Sequence, residues 1–140
     1  MKIRVLILCT GNSCRSQMAE GVLRHYGKDK FEVESAGSEP SKVNETAIKV
    51  MKEIGIDISG HRSKHVKEFL GRHFHYIITV CDHAAKACPT FPGNGKRLHW
   101  PFPDPPHSKE VTEDVLNEFR KVRDLVHKKF KEAALTESFD

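Results

Sequence analysis

The sequence predicts a doubly wound α/β fold, a four-stranded parallel sheet flanked by helices, and three observations predict it. Residues 3–8, IRVLIL, form a near-continuous apolar run, the pattern of a central parallel strand covered on both faces. Stretches of strand character then alternate with stretches of helical period along the rest of the chain. The first strand runs into a loop of small residues, CTGNSCRS at positions 9–16, and straight on into a helix; ligands of such sheets bind at that kind of junction.

Taken in order, the first strand ends at the turn signal Thr10-Gly11. Met18, Ala19, Val22, Leu23 and Tyr26 then recur at helical spacing, with Gly27 standing where a C-terminal cap is expected. Residues 31–37, FEVESAG, alternate apolar with charged and read as a second strand nearer a sheet edge. Pro40 and Ser41 open a loop, and a helix follows that carries Val43, Ala47, Ile48, Val50, Met51 and Ile54, capped by Ser41 or Asn44 and stopped at Gly55. A short helix is expected at 64–70, a third strand at 76–81 and a short fourth strand at 97–100. The last helix should start near Ser108, with Val111, Val115, Phe119, Val122, Val126, Phe130 and Ala133 on one face. No repeat or linker interrupts the pattern, so residues 1–140 are expected to form one domain.

The chain has 140 residues, 38% of them hydrophobic, enough for a core that folds without staples. Its N-terminal apolar run is too short for a signal segment or a membrane span, which sets the cytoplasm as the expected location. In that reducing compartment the four cysteines Cys9, Cys14, Cys81 and Cys88 point to catalysis, metal binding or packing rather than to permanent disulfides. The net charge of +4 comes from mixed acids and bases, a balance that suits a small anionic substrate and argues against nucleic acid. The pairs His61/His65 and His73/His75 lack Cys or carboxylate partners at zinc-site spacing, so no metal is expected.

The CTGNSCRS loop carries the chemistry. A loop of this length can curl until its backbone N–H groups face inward at the start of the following helix, a cradle for a tetrahedral oxyanion formed by Thr10, Gly11, Asn12, Ser13, Cys14, Arg15 and Ser16. Gly11 supplies unusual dihedrals, Asn12 tolerates a left-handed conformation, and Ser13 and Ser16 add hydroxyls. Arg15 offers a planar fork for two oxygens at once. The same field should acidify the Cys9 thiol and make it a nucleophile, with hydrogen-bond support from Ser16.

With QMAE following at 17–20, this loop resembles that of the low-molecular-weight tyrosine phosphatase superfamily, and more closely that of thioredoxin-coupled arsenate reductases. The similarity extends to Ser35-Ala36-Gly37, to Cys81 with Cys88, and to His99-Trp100 leading to Asp104-Pro105. It implies Cys9 as nucleophile, Arg15 as oxyanion clamp and Asp104 as general acid, in a reductase or in the alternative, a tyrosine phosphatase. Where such a phosphatase carries an aromatic wall just after its Asp-Pro, this chain has Pro106 and His107, and Cys81 and Cys88 supply sulfurs that a hydrolase does not need. The resemblance therefore implies a relay. Cys9 attacks arsenate, Cys81 attacks the adduct and releases arsenite, Cys88 attacks Cys81, and thioredoxin reduces the resulting disulfide, with phosphate or sulfate as analogues of the substrate. It assigns Cys14 to loop structure and implies arsenic detoxification by a cytoplasmic monomer with no cofactor and no membrane partner.

A zinc or thiol-switch module would leave Arg15 and Asp104 without a role. Some of these reductases bind potassium through positions matching Asn12 and Ser35 and two positions that here are Arg62 and Lys64. Two cations cannot share such a site, so the Lys64 ammonium is expected to bond Asn12 or Ser35 and potassium is expected to be dispensable. Residues 82–88 read as a short helix capped by Asp82 and ended by Pro89. A helix would hold the ends of that segment roughly 10 Å apart, while a disulfide needs Cα atoms within about 7 Å, so oxidation of Cys81 with Cys88 should unwind it.

Overall fold

The computed structural model describes residues 2–81, 91–106 and 110–139. The expected helix at 82–88, its unwinding, and Cys88 itself lie outside the described residues. Four strands, β1 (Ile3–Cys9), β2 (Phe31–Gly37), β3 (Tyr76–Thr79) and β4 (Lys96–His99), form one parallel sheet in the order β2-β1-β3-β4. The apolar β1 is central and the alternating β2 is an edge, as their patterns predict.

Side chains of β1 alternate between two cores. Val5, Ile7 and Cys9 face a large cluster shared with helices α1 (Arg15–Gly27), α2 (Glu45–Glu53) and α3 (Glu113–Thr136). Leu6 and Leu8 face a smaller one built from Ala36, Phe69, Phe74, Ile77 and Phe91. Asn44 caps α2, its side chain accepting from the N–H groups of Thr46 and Ala47, and Gly55 follows the helix with φ of +80°. The segment expected as a helix at 64–70 is a single 3₁₀ turn, Val66–Phe69, in which His65 and Glu68 cap each other's backbone.

The third strand, expected to run to Cys81, stops at Thr79, and the fourth is shifted by one residue to Lys96–His99. Two further boundaries differ from the sequence pattern for local reasons. Gly27 is the last residue of α1 rather than its cap, and Lys28 takes the positive φ of 48°. A Cβ on Gly27 would stand 2.3 Å from the Phe31 ring, so this glycine serves close packing at the start of β2. The last helix begins at Glu113, not near Ser108, because the Thr112 side chain accepts from Val115 N–H and two acids, Glu113 and Asp114, occupy the first turn. Val111 therefore lies before the helix, half exposed, and takes no part in its apolar face. Among the described residues no helix is long and apolar enough to cross a membrane.

Candidate active site

Leu8 of β1 pairs with Thr79 of β3, so Cys9 and Cys81 leave neighbouring strands at the same carboxyl edge of the sheet. The chain then turns through residues 10–14 into α1, whose first residue is Arg15. Asn12 takes φ of +47°, the left-handed conformation its side chain tolerates. Gly11 does not: its φ is not positive, and a Cβ there would meet nothing closer than 3.4 Å. The glycine this turn requires is Gly37 at the end of β2, where a Cβ would fall 2.3 Å from the Thr10 carbonyl oxygen.

Every carbonyl from 10 to 14 is held from outside the turn. Thr10 O accepts from Glu39 N (2.9 Å), Gly11 O from Ser41 N (3.2 Å), Ser13 O from Asn44 N (2.8 Å) and Cys14 O from Met18 N (2.9 Å). Asn12 O accepts from Gln17 Nε2 (3.0 Å), and the Ser63 hydroxyl reaches both Gly11 O (3.1 Å) and Asn12 O (2.9 Å). In a trans peptide the N–H points opposite to the C=O, so carbonyls tied outward turn the N–H groups of residues 11–15 inward. This is the physical content of the oxyanion cradle.

Asn12 is the keystone of the turn and is fully buried. Its Nδ2 donates to Ser16 Oγ and Ser35 Oγ, both at 2.9 Å, and its Oδ1 accepts from Lys64 N (2.8 Å) and Gln17 Nε2 (3.0 Å), so all four of its polar capacities are used. Ser16 thus bonds Asn12 and not Cys9. Behind it, Ser35 Oγ donates to Glu20 Oε1 (2.6 Å), and the Lys64 ammonium faces Glu20 (3.4 Å) and Glu34 (3.6 Å). The Lys64 ammonium, expected on Asn12 or Ser35, thus settles on two carboxylates instead, and only its backbone N–H bonds Asn12. Arg62 points away, its guanidinium paired with Glu68 at 2.8 and 3.0 Å, while its carbonyl accepts from Gln17 Nε2. His61 Nδ1 meets Gln17 Oε1 at 3.0 Å, and burial keeps its pKa below the ordinary value against the pull of Glu20.

Arg15, 7% exposed, donates to the Phe102 carbonyl (3.1 Å) and lies 3.5 Å from the Asp104 carboxylate. Asp104 is thus at the cradle, on a segment that Phe102 N anchors to Val80 O (3.2 Å), next to Cys81. Burial is the largest influence on the Cys9 thiol and raises its pKa above the ordinary value. Arg15 and the N–H groups of Thr10 and Gly11 pull the other way, and Asp104 adds to the rise. The loop pattern leads one to expect an acidified Cys9, but the residue is only 4% exposed and loses more solvation than Arg15 and the two N–H groups return, so its thiol stands above and not below the ordinary value. Cys14 is buried, free, and pushed up further by the same cause, as befits a structural thiol. Cys81 is 2% exposed and disulfide-bonded.

The sequence gives the cradle residues their role, but Gln17, Glu20 and Gly37 enter only as positions that carry the family resemblance, and Ser63 does not enter at all. The available signal is Gln17 and Glu20, two polar residues on the inward face of a helix that has to pack on a sheet.

The chain is similar along most of its length to known proteins of one family. The model of the low molecular weight phosphotyrosine protein phosphatase family matches residues 4–138. An arsenate reductase of Halalkalibacterium halodurans is 46% identical over 132 residues, covering 94% of this chain and 95% of the relative. A solved arsenate reductase in the phosphate binding state superposes with a TM-score of 0.81 at 34% identity, over 99% of this chain and 100% of its own. The thioredoxin-dependent arsenate reductase of Corynebacterium glutamicum superposes with a TM-score of 0.63 at 26% identity, over 94% of this chain and 63% of that one.

Proposed function

The chain belongs to the low molecular weight phosphotyrosine protein phosphatase family, and from that premise we propose that it is an arsenate reductase driven by thiols and recycled by thioredoxin. The observation that carries this reading is the disulfide at Cys81, two residues beyond the end of β3 and beside the carboxyl end of β1 where Cys9 sits, because hydrolysis has no use for a redox thiol at that edge.

Arsenate enters with its oxygens toward the inward N–H groups and the fork of Arg15. Cys9 arrives as a thiol, since burial holds its proton, and a dianionic arsenate oxygen accepts that proton as the ion docks. The sulfur then forms an S–As bond while one oxygen leaves as water, with Asp104 supplying the proton to the leaving oxygen. The Cys81 thiolate attacks the Cys9 sulfur. The S–As bond breaks with its electron pair on arsenic, so As(V) becomes As(III) and arsenite departs. The Cys88 thiolate next attacks the Cys81 sulfur, frees Cys9 and leaves a Cys81–Cys88 disulfide, which the dithiol of thioredoxin reduces. Each cycle moves two electrons from thioredoxin to arsenic. In this reading the protein works as a cytoplasmic monomer in arsenic detoxification.

The test is arsenate-dependent NADPH oxidation with thioredoxin and thioredoxin reductase, set against hydrolysis of p-nitrophenyl phosphate by the same preparation. Reduction should dominate, and Cys9→Ser should abolish both. Hydrolysis without arsenate reduction would instead mean a phosphatase acting through Cys9, Arg15 and Asp104, a role to which Pro105 and Pro106 lend no aromatic wall.

A further inference from the structure

Three consecutive residues lie along the outside of the cradle, two of them bonded to it and the first bonded to Gln17, which itself holds Asn12. The Arg62 carbonyl accepts from Gln17 Nε2 at 3.1 Å, the Ser63 hydroxyl meets two loop carbonyls, and Lys64 N donates to Asn12 Oδ1. This strap is itself fixed: Gly37 N donates to Lys64 O at 2.9 Å, and the Lys64 ammonium is held by Glu20 and Glu34.

We infer that Ser63 is a positioning residue for oxyanion binding, acting through the Gly11 and Asn12 carbonyls to aim the N–H groups of Asn12 and Ser13. A hydroxyl has one hydrogen, and here it is shared between acceptors at 3.1 and 2.9 Å that belong to successive peptides. Because C=O and N–H oppose each other across a trans peptide, tethering both carbonyls on one side directs both N–H groups to the other. The restraint matters most at this point because Asn12, between the two peptides, is the loop residue in the left-handed region, where a flip of either peptide relieves strain. Ser41 N and Gln17 Nε2 still hold the same two carbonyls when the hydroxyl is removed, so the loop persists but its N–H groups lose their common aim.

The inference rests on the oxyanion-cradle reading and holds equally for arsenate, phosphate or sulfate. Sulfate protection of Cys9 against iodoacetamide, followed on the Cys9 peptide by mass spectrometry in the reduced full chain, measures it directly. Removing one net hydrogen bond corresponds to about a 3- to 10-fold change in affinity. Ser63→Ala should weaken sulfate by that factor and raise the KM for arsenate in parallel, with kcat moving less. Ser63→Thr, which keeps the hydroxyl, should restore both. Wild-type sulfate affinity in Ser63→Ala, or an equal loss in Ser63→Thr, overturns the assignment. Failure of sulfate, phosphate and arsenate all to protect wild-type Cys9 would remove the cradle reading itself, a different outcome from either.

Discussion

The chain builds two clusters of glutamates and basic side chains, one behind the cradle and one between α2 and α3, and they do different work. In the first, the Lys64 and Glu20 side chains are 9% and 3% exposed and stand 3.4 Å apart. In the second, Glu53 takes Arg120 at 2.7 and 3.0 Å and Arg123 at 2.7 Å, with Glu53 and Arg120 about a third exposed. The second has the better contacts, yet water and salt screen them. The first has longer contacts in a dry setting, where a charge without its partner is costly. Its ions also lead somewhere: Glu20 fixes Ser35, Ser35 fixes Asn12, and Asn12 shapes the cradle. A charge cluster therefore governs function through its burial and its next neighbour, not through the shortness of its ion pairs.

A pair that spans both settings gives the largest effect. Arg15 is buried and Asp104 is 40% exposed in its side chain, at 3.5 Å. Asp104→Asn should slow formation of the arsenic adduct by ~10²–10⁴-fold, the usual contribution of a general acid. Sulfate protection of Cys9 should not weaken, because Arg15 keeps its bond to Phe102 O. Single-turnover arsenite release and the alkylation assay check the two halves, and an unchanged rate removes Asp104 from the chemistry.

Within the dry cluster, Glu20→Gln keeps an acceptor for Ser35 but strips Lys64 of its nearer carboxylate. Breaking a buried pair from one side costs roughly 3 kcal/mol, the low end of its range here because Glu34 still faces the ammonium. Adding Lys64→Met should recover most of that loss in urea unfolding, since no unpaired ammonium then remains behind the loop, and Arg24, which bonds Glu20 at 3.0 Å, keeps Glu34 at 3.7 Å as its partner. A double variant as unstable as the single one would show that the pair's attraction, not desolvation, sets its worth.

Burial acts on uncharged thiols by the same rule. The pKa values of Cys9 and Cys14 are raised in the fold from the ordinary 9.0, chiefly by desolvation, so the folded state prefers the protonated thiol. The associated stability is present below pH 9.0 and is lost as pH rises above it. Cys14→Ala should flatten that alkaline decline in unfolding free energy measured between neutral and strongly basic pH.

The sequence exposes what depends on neighbours along the chain and hides what depends on depth. β1, the edge position of β2, the Asn44 cap and the left-handed Asn12 follow from local pattern and residue type. The start of α3 and the role of Gly27 do not, because Thr112 competes with Ser108 as a cap and Phe31 sits four residues from the glycine it crowds. The cradle's donors can be read from CTGNSCRS, while the rise in the Cys9 pKa cannot, since it comes from packing under α1 and α3. Lys64 is legible as a cation near Asn12, but its carboxylate partners lie on α1 and β2, brought together only by the fold.

The smallest effect belongs to the wet cluster, and pH makes it measurable. Hydrogen bonds from Arg120, then Arg123, lower the Glu53 pKa from an ordinary 4.5 to about 2. A carboxylate whose pKa falls on folding contributes stability that is fully present above 4.5 and is lost as pH drops through about 2. Glu53→Gln should therefore lower Tm slightly at neutral pH, by less than Glu20→Gln does, and the gap to wild type should narrow in high salt. The gap should close as pH falls from 4.5 toward 2, because the wild-type carboxyl is then neutral as well. Sulfate protection of Cys9, measured at neutral to mildly alkaline pH, should stay at its wild-type value, since Arg123 keeps its bond to Val50 O and nothing in this cluster touches Asn12. A loss of sulfate affinity in Glu53→Gln would mean that the helix clamp reaches the cradle after all, and that the division between the two clusters is not one of burial.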